Sequence, residues 1–212
     1  MQIYGRKTSI NVQKVLWCLA ELGRIEGRDY ERIDAGLTFG VVDTSAYLAL
    51  NPNGLVPTLV DGDVVLWESN TIVRYLAATL GDGALLPTDP AGRADVERWM
   101  DWQSATLWAA LRTAFVGLTR VAEAQRNYDT IKFSYRQASD LLRIVDALLA
   151  SQPYIARSGF SVADLGMALA VHRWIDLGHK YGQVVERREG MDGLLEWHGR
   201  MVGRAAYKAV IA

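Results

Sequence analysis

Three short stretches of the chain carry polar groups at spacings that could do chemistry. Ser9 and Asn11 fall between a short alternating start, Met1 to Tyr4, and an apolar helical stripe of Val12, Val15, Leu16, Leu19 and Leu22 closed by Gly23. A hydroxyl and an amide there sit at the positive end of a helix, where they can donate to an anion. By residue type alone, both also suit plain helix caps. Val56-Pro57 stands at the mouth of a strand, where proline cannot donate to the ladder. A cis bond there would turn the Val56 amide and carbonyl towards a ligand strand, although a trans proline opening an edge strand is the commoner arrangement. Glu68-Ser69 precedes Ile72, Leu76 and Leu80 at helical spacing, so Ser69 reads as an N-cap and the helix start as an anion site. A strand edge and a helix start that converge would fit a small extended peptide with a carboxylate at one end.

These residues need a scaffold, and the hydrophobic pattern supplies one. Asn51-Pro52-Asn53-Gly54 is dense in turn formers, and Thr58-Leu59-Val60 and Val64-Val65-Leu66 flank Asp61-Gly62, a hairpin signal. Tyr30 to Ile33 reads as a strand, Gly36 to Asp43 as a loop and Thr44 to Leu50 as a short helix. The order strand, helix, strand, helix, strand, strand, helix makes a compact α/β unit. Gly81-Asp82-Gly83 and Pro87-Thr88-Asp89-Pro90 read as a linker, after which strand signals stop. One long helix is expected over Ala94 to Val121, another over Asp129 to Ala150, and a third from a capping-box-like Ser161-Val162-Ala163-Asp164 to about Leu177. A charged loop over 183–193 and two short helices finish the chain. The fold class expected is therefore α/β followed by all-α, with domains at 1–82 and 88–212.

Composition narrows the function classes. Lys plus Arg is 23 and Asp plus Glu is 24 among 212 residues, which argues against a general affinity for nucleic acid or acidic membranes. The first residues lack an apolar core of signal-peptide length and no apolar run could span a bilayer, so a cytoplasmic location is expected. The single cysteine, Cys18, precludes an internal disulfide, agrees with a reducing compartment and falls on the apolar side of a helix as a core residue. His172, His179 and His198 lack metal-ligand spacing, and no metal is expected.

The segments YGRKTSINVQKVLWCLAELG, NPNGLVPTLVDG, LWESNTIVRYLA and SVADLGMALA, in this order and spacing, resemble the cytosolic glutathione transferases over nearly the whole chain. The start is most similar to bacterial members with a Ser-x-Asn pattern after the first strand. The resemblance implies a thioredoxin-like N-terminal domain that binds glutathione as co-substrate, a helical domain that completes the pocket for a small electrophile, and a homodimer. It implies a cis Pro57. It implies that Ser9, with Asn11 and with Thr8 as a neighbouring competitor, faces the thiol. Ser69 would receive the glutamyl carboxylate, Glu68 the amine, and the Val56 backbone the cysteinyl unit. Phe39 would line the glycyl end or serve the core. Leu55 stands where many relatives carry a basic or imidazole residue, which leaves one usual contact to the glycyl carboxylate open. The second substrate is expected between the domains, along the Ala94–Val121 helix. Trp102, Thr106 and Arg112 are candidates for it, with Trp99 and Trp108 nearby, and for each of the three tryptophans a core or dimer-interface role is the competing reading. Arg112 suits an anionic haloacid if it faces the cleft, or an ion pair with a neighbouring acid. Three activities stay open: conjugation, a glutathione-dependent disulfide reduction or dehalogenation on the same site, and a non-catalytic binding module.

Overall fold

The computed structural model describes residues 1–186 and 189–211. The first unit contains β1 (Gln2–Tyr4), α1 (Ile10–Glu21), β2 (Glu31–Ile33), a 3-10 turn at Leu37–Phe39, α2 (Ser45–Leu50), β3 (Thr58–Asp61), β4 (Val64–Trp67) and α3 (Ser69–Leu80). The strands form one thioredoxin-like sheet in the order β2-β1-β3-β4. β1 runs parallel to β2 and antiparallel to β3, and β3 is antiparallel to β4. The register pairs Tyr4 with Ile33 and Thr58, and Thr58 with Trp67, so these four residues make one row across the sheet. Four segments leave from that row: the turn into α1, the loop after β2, the Val56-Pro57 approach to β3, and the step into α3. Ile3, Leu59, Val12, Val15, Leu19, Ile72, Leu76 and Ala77 are sealed beneath it. Burying each large aliphatic side chain contributes about 1.5–3 kcal/mol, which fixes α1 against α3.

The second unit, Asp89–Val202, is helical: α4 (Pro90–Trp102), a π turn at Gln103–Leu107, α5 (Trp108–Thr119), a 3-10 turn at Glu123–Gln125, α6 (Tyr128–Leu149), α7 (Val162–Lys180) and α8 (Asp192–Gly203). The expected single helix over Ala94 to Val121 differs in two ways. It starts at Pro90, because Asp89 caps it by accepting from the Gly92 amide at 2.8 Å and a proline at the first helical position gives up no hydrogen bond. The π turn then interrupts it, with Gln103 and Leu107 turned inwards. Residues 187 and 188 of the expected charged loop lie outside the described residues. α7 begins at the expected capping box; α4 and α5 pack against it, and α6 packs against α5 and stacks Tyr135 on Trp174 of α7.

The last helix, α9 (Ala205–Ile211), belongs with the first unit, which groups Met1–Thr88 with the segment from Gly203 onward. It packs on α1, where Tyr207 meets Trp17 edge to face with ring centroids 5.0 Å apart. Arg204 grips Glu21 through two bonds of 2.6 and 2.8 Å. Among the described residues no helix is long and apolar enough to cross a membrane.

Candidate functional site

The turn from β1 into α1 is set by Gly5. A Cβ at this position would lie 2.3 Å from Val12 Cγ2, so only glycine lets the strand end press on the helix. Ser9 follows as the α1 N-cap residue, with extended backbone at φ −80 and ψ 122. Its carbonyl accepts from the Gln13 amide at 2.8 Å, yet its side chain makes no capping bond. A buried hydroxyl at a helix start is therefore left unspent among the described residues. Asn11, in the first turn of α1, is exposed, as is Thr8.

The approach to β3 is held by a polar bracket. Asn51 is almost wholly buried, and its Nδ2 donates to the Leu55 carbonyl at 2.8 Å and to Thr58 Oγ1 at 3.0 Å. The Tyr47 hydroxyl donates to the same carbonyl at 2.6 Å and lies 2.8 Å from Thr58 Oγ1. These bonds fix the chain on both sides of Val56-Pro57, whose peptide bond is cis. Among the described residues, Val56 makes no backbone hydrogen bond of its own. Leu55 is 67% exposed and Phe39 51%, so Phe39 stands outside the core.

Across the row, Glu68 rather than Ser69 caps α3, a correction to the expected N-cap. Glu68 holds φ 69 and ψ 110, outside the regions that a non-glycine residue normally occupies, at a cost of about 1–3 kcal/mol. Ser69 becomes the first helical residue and is buried, and no side-chain bond caps the helix. The first helical amides, from Ser69 onward, lack intrahelical acceptors and carry the positive end of the helix dipole. Beneath them, the buried Lys14 ammonium donates to Asn70 Oδ1 at 3.0 Å. Burial brings the Lys14 pKa down to about 8, against the opposing pull of Glu68.

The segments that leave this end of the sheet carry Ser9, Asn11, Phe39, Leu55, Val56, Pro57, Glu68 and Ser69. Trp102, Thr106 and Arg112 belong to the helical unit. Trp102 is half-buried against Trp99, with centroids 5.5 Å apart, and Thr106 lies in the π turn. Arg112 is exposed and makes no ion pair among the described residues. Cys18 is buried, and desolvation followed by the nearby Glu21 charge pushes its thiol up to about 12, far from a reactive thiolate. No cluster of three metal-capable side chains occurs among the described residues.

Residues 1–78 match the family model described as glutathione S-transferase, N-terminal domain. The glutathione S-transferase GstB of Escherichia coli strain K12 is 37% identical over 211 residues, covering 99% of this chain and 96% of that protein. The chain belongs to the glutathione S-transferase family. Among solved structures of that family, the theta class glutathione S-transferase from the citrus canker pathogen Xanthomonas axonopodis pv. citri, with glutathione bound, superposes with a TM-score of 0.88. It is 41% identical and covers 99% of this chain and 96% of its own. Glutathione S-transferase 3 of Zea mays is 31% identical over 80% of this chain and 76% of that protein. Family membership accounts for the fold, and the Val56-Pro57 bond is cis as the resemblance implied. Residue patterns did not single out the Asn51 and Tyr47 bracket, or Lys14 within the apolar stripe of α1. Only the burial of these polar groups reveals them.

Proposed function

We propose that this glutathione S-transferase family member takes glutathione as co-substrate and joins its thiolate to small electrophiles, anionic haloacids among them. The observation that carries this reading is the set of unspent donors at one end of the sheet: the Ser9 hydroxyl, the Val56 backbone, and the amides and hydroxyl at the start of α3. Ser9, aided by Asn11, serves the sulfur. Val56, between Leu55 and Pro57, pairs with the cysteinyl unit. Ser69 receives the glutamyl carboxylate, Glu68 the amine, and Phe39 lines the glycyl end. Trp102, Thr106 and Arg112 attend the electrophile. The thiolate attacks the carbon that carries the leaving halide; the carbon–sulfur bond forms as the halide departs with its electron pair, and the thiol proton goes to solvent. The reaction draws on no metal.

The magnitudes suit Ser9. Lowering a thiol pKa from about 8.5 by about two units takes about 2.7 kcal/mol. One hydrogen bond to a charged group supplies about 1.5–3 kcal/mol, and a helix end about 0.3–1. The thiolate fraction at neutral pH then rises from about 3% to about 75%. Nucleophilicity falls with pKa, with a slope of about 0.4–0.5 in disulfide exchange, so a few-fold net gain remains. Positioning of the electrophile must supply much of the rate.

We place this activity in the cytoplasm, as detoxification by a homodimer. The exposed Val64, Val65 and Trp67 on β4 offer apolar surface for a second copy, and light scattering that finds only monomer would contradict the dimer. Titration calorimetry with glutathione tests the site, and no uptake ends the proposal. Turnover of an aryl halide, a haloacid and a small mixed disulfide separates conjugation from reductive chemistry. Arg112→Ala should lower haloacid turnover relative to a neutral electrophile; an unchanged ratio removes Arg112 from substrate selection.

A further inference from the structure

Lys14 is a charged group to which the proposed chemistry assigns no task. It lies on α1 between the fully buried Val12 and Val15 and is itself only 5% exposed. A methionine or leucine would fill that space without desolvating a charge, so packing does not explain an ammonium there. Its head reaches across to α3 and donates to Asn70 Oδ1 at 3.0 Å. Asn70 is the second residue of α3, directly after Ser69. The Glu68 carboxylate favours the ammonium, and Arg74, one turn further along α3, opposes it. Positive charge is thus held at the start of α3, whose capping residue is an acid that makes no capping bond.

We propose that Lys14 is a positioning residue for the glutamyl end of glutathione. Through Asn70 it fixes the first turn of α3, and its charge raises the positive potential where the glutamyl carboxylate arrives. It also offers Glu68 a compensating positive charge, so that this exposed carboxylate can face the glutamyl amine beside a balanced helix start. The inference rests on the proposed glutathione site and adds a residue that touches neither the sulfur nor the electrophile. Lys14 therefore acts on affinity and leaves the chemical step alone.

The test compares wild type, Lys14→Met and Lys14→Arg. Calorimetry gives Kd for glutathione, steady-state kinetics with an aryl halide give KM and kcat, and a thermal melt gives Tm. Cysteinylglycine, which lacks the glutamyl head, serves as the control thiol. For Lys14→Met, Kd and KM for glutathione should rise about tenfold, the factor carried by 1.4 kcal/mol. Its kcat at saturation should stay within about twofold (under 0.5 kcal/mol on the same scale). Lys14→Arg should recover most of the affinity, and the penalty should vanish with cysteinylglycine. Unchanged glutathione affinity overturns the inference, as does an equal penalty with both thiols, which would mark a general packing defect. Should Lys14→Met fail to fold, Lys14→Gln keeps a donor for Asn70 and removes the charge; wild-type affinity in that variant overturns the inference. Failure of the wild type to bind glutathione would sink the proposed function and this inference with it. Wild-type binding matched by the variants sinks the inference alone.

Discussion

Serine opens a helix in both units, with opposite consequences. At α7, Ser161 Oγ accepts from the Ala163 amide and donates to Asp164, each at 3.3 Å. Asp164 accepts from the Ser161 amide at 3.0 Å, the Ile155 amide at 3.1 Å and Trp197 Nε1 at 3.0 Å. This cluster is sealed from solvent and its hydrogen bonding is consumed within the fold. At α1 and α3, Ser9 and Ser69 stand at helix starts equally well and cap nothing with their side chains. The difference teaches that a helix start can serve folding or be held open for a ligand. Residue type does not decide between the two; the count of acceptors and donors already satisfied does.

The contrast can be broken at either end. The largest effect should come from Asp164→Ala, which strands four buried donors, three N–H groups and the Ser161 hydroxyl, at about 1–3 kcal/mol each. Urea melts should show a loss of about 3 kcal/mol or more, while the protein that remains folded binds glutathione as before. A loss below about 1 kcal/mol would mean that the cluster is not the folding device described. Next comes acid. His172 and His198 stack with centroids 5.5 Å apart in the helical unit, and burial, with His172 beside it, lowers His198 to about 4 from an ordinary 6.5. The unfolded chain takes up the proton first as pH falls. The stabilisation is therefore complete above about 6.5 and drains away down to about 4, by up to about 3 kcal/mol. Melts from pH 7 to pH 4 should show this loss shrinking in His198→Gln; parallel pH curves for the two proteins would refute it.

Ser69→Ala should weaken glutathione binding about 10- to 100-fold, the worth of a hydrogen bond to a charged group. It should cost little stability, because no capping bond is lost. A fall of about 1 kcal/mol in stability, the usual cost of losing a cap, would place Ser69 with Ser161 instead. The smallest effect belongs to Ser9→Ala: a few-fold drop in turnover and a higher pKa of the bound thiol, followed by thiolate absorbance, at unchanged Tm. A loss of several hundred-fold would show that positioning contributes less than proposed.

Much of this was legible in the residues. Alternation and helical stripes gave the strands and α1, Asp61-Gly62 gave the hairpin, and Ser161 with Asp164 gave the start of α7. The start of α4 was hidden because Pro90 reads as a breaker until Asp89 is seen to cap it. The π turn was hidden because one extra residue per turn leaves an apolar stripe nearly intact. Lys14 disappeared into an apolar helix, since sequence gives no burial. The proposed ligand-facing role of the sheet end came from family resemblance more than from residue type, because Ser9, Asn11 and Ser69 would look the same as ordinary caps.

The Trp17–Tyr207 contact and the Glu21–Arg204 clasp have a consequence for biosynthesis. The covering for α1 is encoded after the whole helical unit. As the chain leaves the ribosome, its first eighty-odd residues are complete long before the helix that shields Trp17 is made. A nascent chain stalled anywhere upstream of Arg204 leaves that indole face open to chaperones. Completion of the first unit is thereby tied to synthesis of α9, which follows the whole helical unit in the chain.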